Sequence, residues 1–83
     1  MRQHYMTMCF RENIEVTYKV SKGQIIMTYE KAVNNVFHRA DILLDGTVIA
    51  QDGFKSSDID YFVRFTVKNA PLIVKIVNGE YSD

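Results

Sequence analysis

The segment Ser56–Pro71 constrains the fold most, because it carries both a strand pattern and a helix pattern. At period two, apolar residues alternate with polar ones, as in a half-buried strand; the apolar set is Tyr61, Val63, Phe65 and Val67. At helical spacing, a different set forms one continuous face: Ile59, Phe62, Val63, Thr66, Val67 and Ala70. The choice between them decides whether the chain is an α+β or an all-β domain.

The residues at the ends of this segment favour the helix. Ser56 and Ser57 offer hydroxyl groups that can cap a helix N-terminus, and two aspartates follow where the positive end of the helix dipole lies. Asp60 and Arg64 have the i,i+4 spacing of a helical ion pair. Pro71 disfavours the helical conformation at the residue before it, which predicts that the helix ends there.

Before this segment, the chain reads as short strands joined by tight turns. The dipeptide Asp45-Gly46 suits a two-residue type I′ turn, and the segments 11–13 and 21–24 are also short enough to join antiparallel neighbours. In this register Met8 lies opposite Val16 and the apolar residues stay on one face. The strands expected are residues 6–10, 14–20, 25–33, 36–44 and 48–50.

The segment Tyr29–Ala40 is ambiguous in the same way. Several of its apolar residues have helical spacing, but Asn34-Asn35 is unfavourable inside a helix and suits a two-residue turn. Such a turn places Glu30 opposite Arg39 on the polar face and keeps the apolar face intact. The sequence therefore predicts a hairpin here.

Together these patterns predict an α+β domain. It is an antiparallel β-meander of four to five strands, with one C-terminal helix (about residues 57–69) on its apolar face and a final strand at residues 72–77. The alternative is a small all-β barrel, in which Tyr61–Val67 and Leu72–Val77 form a closing hairpin. That hairpin would place two like charges, Arg64 and Lys75, opposite each other.

Composition narrows the functional classes. The 83 residues suit one small globular domain, and the 10 basic and 10 acidic residues cancel, which argues against a dedicated polyanion binder. Cys9 is the single cysteine, so no internal disulfide can form. Residues 1–10 lack the apolar core of a signal peptide, and apolar runs are too short to span a membrane. We therefore expect a cytoplasmic protein without membrane contact.

Residues capable of catalysis or metal binding are few and scattered. His4, His38 and Cys9 have no ligand spacing, and His38 is expected at the rim of the sheet without a partner acid. The aspartates of Asp45-Gly46 and Asp52-Gly53 are explained by turn chemistry. The sequence predicts no catalytic residue, no metal, no cofactor and no enzymatic activity.

The helix supplies the candidate interaction site. If its apolar face covers the sheet, the outer stripe at i, i+3, i+4 and i+7 comprises Tyr61, Arg64, Phe65 and Lys68. Aromatic residues and arginine are enriched at protein interfaces. The stripe favours a protein-binding module that self-associates, with a homo-oligomer such as a homodimer expected, or docks to a larger protein as a regulator or inhibitor. The alternative interpretation is that Phe65 simply widens the buried face.

Two other functions stay open at this stage. The first is weak binding of single-stranded nucleic acid by the sheet, although nucleic acid is not the expected partner. The residues that it would use are Lys19, Lys22, Lys31 and Arg39 with Tyr29 or Phe37. The second is a small ligand-binding or enzymatic domain, which requires the sheet to enclose a pocket.

Overall fold

Five antiparallel strands and one long helix make up the fold. The computed structural model describes residues 3–9 and 13–79. The elements are β1 (Gln3–Cys9), β2 (Asn13–Ser21), β3 (Gln24–Val33), β4 (Val36–Leu43), β5 (Val48–Asp52) and α1 (Ser56–Val77). The strands pair in chain order in one open sheet, so the predicted α+β meander is confirmed and the barrel alternative is wrong.

The turns between strands follow the side-chain chemistry in most places. Asn34 and Asn35 both have positive φ (52° and 66°), as a type I′ turn requires, so the predicted hairpin is confirmed. At Asp45-Gly46 only the glycine has positive φ, and the Asp45 carboxylate accepts a hydrogen bond from the Thr47 amide at 2.9 Å. This second turn is therefore held by a side chain and is not of type I′.

The register from β2 to β4 is as predicted, whereas β1 differs and the pairing of β4 with β5 has an irregularity between Asp41 and Ile42 that the two-residue turn did not predict. Glu30 pairs with Arg39 as expected. In β1, however, Met6 rather than Met8 lies opposite Val16, and an irregularity separates His4 from Met6. The hydrophobic pattern fixes the face of a strand but cannot distinguish registers that differ by two residues, because side chains alternate with that period. The same predicted register places Phe10 opposite Ile14, and Phe10 lies outside the described residues.

The core lies between the sheet and α1, which packs mainly over β4 and β3. The Phe62 ring stacks on Tyr29 with 4.5 Å between centroids, and Phe54 meets Phe62 edge-on at 4.9 Å. The Tyr29 hydroxyl lies 2.5 Å from the Thr66 hydroxyl, and both side chains are fully buried. The buried apolar residues are Ile14, Val16, Met27, Tyr29, Ala40, Ile42, Phe54, Phe62 and Ile73.

The helix is longer than predicted, and the final strand at residues 72–77 is wrong. Helix α1 is 22 residues long; it continues through Pro71 and ends at Val77. A proline inside a helix costs about 3 kcal/mol. Pro71 is exposed, so the Val67 carbonyl that it leaves unbonded can reach water. Continuing the helix buries Ile73 completely and Val77 in part. Full burial of such an apolar side chain contributes roughly 1.5–3 kcal/mol, which offsets the cost of the proline.

The start of the helix also differs from expectation. The N-cap is Lys55 in an extended conformation, without a side-chain capping bond, and Ser56 is already helical. The Lys55 carbonyl accepts hydrogen bonds from the amides of Asp58 and Ile59 at 3.0 and 3.1 Å. The first turn is therefore closed by the backbone rather than by a serine hydroxyl.

Candidate functional site

The four residues predicted to form an interaction stripe lie together. Tyr61, Arg64, Phe65 and Lys68, joined by Asn69, line one surface groove of about 530 Å³. The Asn69 side-chain amide donates to the Phe65 carbonyl at 2.8 Å, which fixes this end of the groove. The groove is an open trough along the helix, with no enclosed cavity among its described residues.

Two aromatic rings form the apolar part of the groove. The rings of Tyr61 and Phe65 lie 6.4 Å apart and 24° from parallel. Each also contacts the core, since Phe65 meets Tyr29 edge-on at 6.4 Å and Tyr61 meets Phe62 at 6.2 Å. Both residues are half-buried, so Phe65 does widen the buried face and still reaches the groove. Packing against the core holds the two rings in place.

Two cations border the rings. Arg64 and Lys68 are exposed, and neither makes an ion pair within the part of the chain that the structure describes. The predicted pair between Asp60 and Arg64 is not formed, although both lie on the helix at i,i+4 spacing. The positive charge of this groove is therefore not neutralised by a neighbouring described carboxylate.

The extension of the helix past Pro71 lengthens this surface. Leu72 and Lys75 follow Tyr61 by 11 and 14 residues, which brings both back to the same side of the helix. Leu72 is 39% exposed, and Lys75 is also exposed. We call the whole surface the basic flank; it comprises Tyr61, Arg64, Phe65, Lys68, Leu72 and Lys75. Sequence reasoning missed the last two because Pro71 was interpreted as the end of the helix.

The sheet face opposite the helix carries a polar network beside a second surface pocket of about 350 Å³, which is lined by Glu15, Glu30, Lys31, Ala32 and Phe37. Thr28 donates to Asp41 Oδ1 at 2.6 Å, and Arg39 donates to the same carboxylate at 3.0 and 3.3 Å. Asp41 is 8% exposed, and its hydrogen bond raises the pKa of the Arg39 guanidinium above its usual range. This network joins β3 to β4, and the side chains of Thr28, Arg39 and Asp41 satisfy one another's hydrogen bonds.

The residues proposed for nucleic-acid binding do not share one surface. Tyr29 is fully buried and cannot stack on a base. Lys31 lies over the Phe54 ring at 5.7 Å, on the helix side of the sheet, while Arg39 is held by Asp41 on the opposite side. Phe37, at 68% exposure, is the one aromatic residue of that set that a base could reach.

The two histidines lie apart from each other in the described part of the chain. His38 lies opposite Lys31, with its ring 5.7 Å from Phe54 and its Nδ1 buried with no hydrogen-bond partner among the described residues. His4 lies 3.7 Å from Glu15 at the exposed surface. The prediction for the Cys9 side chain lies outside what the structure describes. Within residues 3–9 and 13–79, no three His, Cys, Asp or Glu side chains converge as metal ligands.

Comparison of the chain with protein-family models, curated proteins and solved structures finds no match. Of the described residues, none belongs to a helix with the length and apolar character needed to cross a membrane.

Proposed function

We propose that this protein is a non-enzymatic interaction module that binds a protein partner through the basic flank. The observation that carries the proposal is the shared groove, in which two half-buried aromatic rings lie beside two exposed cations. Aromatic and arginine side chains supply a large share of the binding energy in protein interfaces. The proposal includes a cytoplasmic location, which suits a chain whose single cysteine leaves no internal disulfide.

The groove suits binding because its apolar part is already ordered. Ordering a flexible side chain at an interface costs about 0.5–1.5 kcal/mol. Tyr61 and Phe65 are held against the core by Phe62 and Tyr29, so a partner does not have to immobilise them. The rings therefore offer apolar area without the full entropic cost of fixing it.

Docking to another protein is favoured over self-association through this surface. In a two-fold dimer the same patch lies on both subunits, so the patch must be complementary to itself. The basic flank carries Arg64, Lys68 and Lys75, and it contains no acidic residue. Two copies face to face would place like charges together, which costs binding energy. We therefore propose a partner of different sequence, regulated or inhibited by docking.

Affinity capture with matched charge variants tests this function. Wild-type protein, the double variant Arg64→Gln/Lys68→Gln and the control Lys22→Gln/Lys55→Gln are immobilised and exposed to native-host lysate. All four substituted residues are exposed, and both variants remove the same charge. We expect proteins that the wild type and the control retain and the flank variant loses. Identical capture by all three would refute the proposal.

Light scattering tests the alternative of self-association. We expect a monomer at all concentrations for wild type and for Arg64→Gln/Lys68→Gln. A wild-type dimer that the flank variant dissociates or strengthens would show that the flank contacts a second copy instead.

A further inference from the structure

We infer that the partner segment bound by the basic flank is acidic and carries a large apolar side chain. This inference rests on the proposed function and names the chemistry of its partner. It combines the charge of the flank, the aromatic groove and the spacing of the cations along the helix.

The charge of the flank has one sign. At 100° per residue, the six residues of the flank occupy about 100° of the helix circumference. This sector contains three cations, Arg64, Lys68 and Lys75, and no carboxylate. The 10 basic and 10 acidic residues of the whole chain cancel, whereas this sector carries positive charge alone. A partner of complementary charge must be acidic.

The apolar part of the flank requires more than charge from the partner. The groove of about 530 Å³ lies within the size range of small-ligand sites, and two aromatic rings line it. Leu72 continues the apolar surface beyond the groove. A purely acidic segment would leave these groups facing water, whereas an aromatic or aliphatic side chain between the carboxylates would cover them.

The spacing of the cations defines the length of the segment. With a rise of 1.5 Å per residue, Lys68 lies about 6 Å and Lys75 about 17 Å beyond Arg64 along the helix axis. An extended chain rises about 3.3 Å per residue. Successive side chains of an extended chain point to opposite sides, so carboxylates that face the same row of cations lie at alternate positions. The segment spans about six residues, with acidic side chains at its first, third and fifth positions and apolar side chains between them. The fifth position lies about 4 Å short of Lys75 along the helix axis, within reach of that long side chain.

Two other anionic partners fit the flank less well. Nucleic-acid binding depends on many phosphate contacts, and three cations in a chain of zero net charge provide few. Helices that lie on membranes insert an apolar face that projects outward. Tyr61 and Phe65 are instead half-buried and pack against Phe62 and Tyr29, so their rings do not project outward as such a face requires.

Selection from a phage library of random 12-residue peptides tests the inference. The library is panned on the wild-type protein and depleted on Arg64→Gln/Lys68→Gln. We expect enriched peptides with at least two acidic residues within a six-residue window that also holds an aromatic or large aliphatic residue. An enriched peptide, labelled with fluorescein, should bind the flank variant about tenfold more weakly than the wild type and bind Lys22→Gln/Lys55→Gln within twofold of it.

Further probes separate the possible failures. Flank-dependent peptides that are neutral or basic would refute an acidic partner while leaving the proposed function intact. Failure to enrich any flank-dependent peptide would count against both. Binding of a twelve-residue oligo-dT or of phosphatidylserine vesicles as tightly as the peptide, with the same loss in the flank variant, would show a general anion surface and overturn the inference.

Discussion

The bond between the hydroxyls of Tyr29 and Thr66 offers a sharp test of how the helix sits on the sheet. The two oxygens lie 2.5 Å apart, and both side chains are fully buried. Tyr29→Phe and Thr66→Val each remove one partner and leave the other in the core without a hydrogen bond. Tyr29→Phe/Thr66→Val removes both and leaves no unpaired hydroxyl at this contact.

The expected energies follow from the cost of an unpaired buried group. Each single variant should lose about 1–3 kcal/mol of unfolding free energy, whereas replacing both partners with apolar groups is nearly neutral. Tyr29→Phe should lie at the low end, because the Thr66 hydroxyl can turn to the Phe62 carbonyl one helical turn earlier. The double variant should therefore lose less unfolding free energy than the two single variants lose together. The difference, which is the coupling energy, should be at least about 1 kcal/mol.

Urea unfolding followed by far-UV circular dichroism measures the four corners of the cycle. A loss of about 2 kcal/mol corresponds to a decrease in Tm of roughly 8–16 °C for a domain of this size. The control cycle combines Thr66→Val with Tyr18→Phe, the same chemical change at a half-buried tyrosine of β2. It should be additive. If the Tyr29 cycle is also additive within about 0.5 kcal/mol, the two hydroxyls are not bonded and the helix docks differently.

Three further predictions concern single sites. Thr17→Val should raise the unfolding free energy by about 1 kcal/mol in urea titrations, because the Thr17 hydroxyl is buried with no hydrogen-bond partner among the described residues. Gly53→Ala should lower Tm more than Gly23→Ala. Both glycines have positive φ, but only at position 53 would a Cβ meet the His38 ring, at 2.9 Å from Cε1 and closer to Nδ1. Burial raises the pKa of Tyr29 above its ordinary value of 10, so stability measured by urea unfolding should fall by about 1.4 kcal/mol per pH unit above about pH 10.

Each of these predictions has an outcome that contradicts it. Destabilisation by Thr17→Val would show that this hydroxyl has a partner; Thr28→Val is the opposite case and should destabilise, because Thr28 donates to Asp41. Equal decreases in Tm for Gly53→Ala and Gly23→Ala would mean that the His38 ring moves aside. The sign at alkaline pH follows from the native state retaining a proton that the unfolded state releases. If the unfolding free energy of Tyr29→Phe falls with pH at the same slope, the pH dependence comes from other groups.

The sheet was largely predictable because its signals are local. The Asn34-Asn35 turn and the alternation of apolar residues depend on neighbours in the chain, and both fixed the pairing of β3 with β4. The register of β1 was not predictable, since pairings two residues apart place the same residues on the same face. Local chemistry therefore determined the faces of the sheet, but not the register of β1 or the irregularity where β5 pairs with β4.

The helix shows where tertiary contacts override local preference. Pro71 favours an end to the helix, yet the burial of Ile73 and Val77 beyond it outweighs that preference. The first part of the basic flank, from Tyr61 to Lys68, followed from helical spacing alone. Its continuation to Lys75 depends on packing that the sequence pattern does not reveal. The contact between Gly53 and His38 has the same origin, because it joins separate elements.

Chemical-shift mapping of the ¹⁵N-labelled protein tests the central claim, that the basic flank is the binding surface for an acidic, apolar segment. The probe is the peptide Glu-Phe-Glu-Leu-Glu-Phe, and the control replaces each Glu with Gln. We predict amide shifts confined to the helix between Tyr61 and Lys75, much weaker with the control peptide, and no change on the opposite sheet face at Lys19 or Phe37. Shifts centred on that sheet face, or equal shifts with both peptides, would contradict the account.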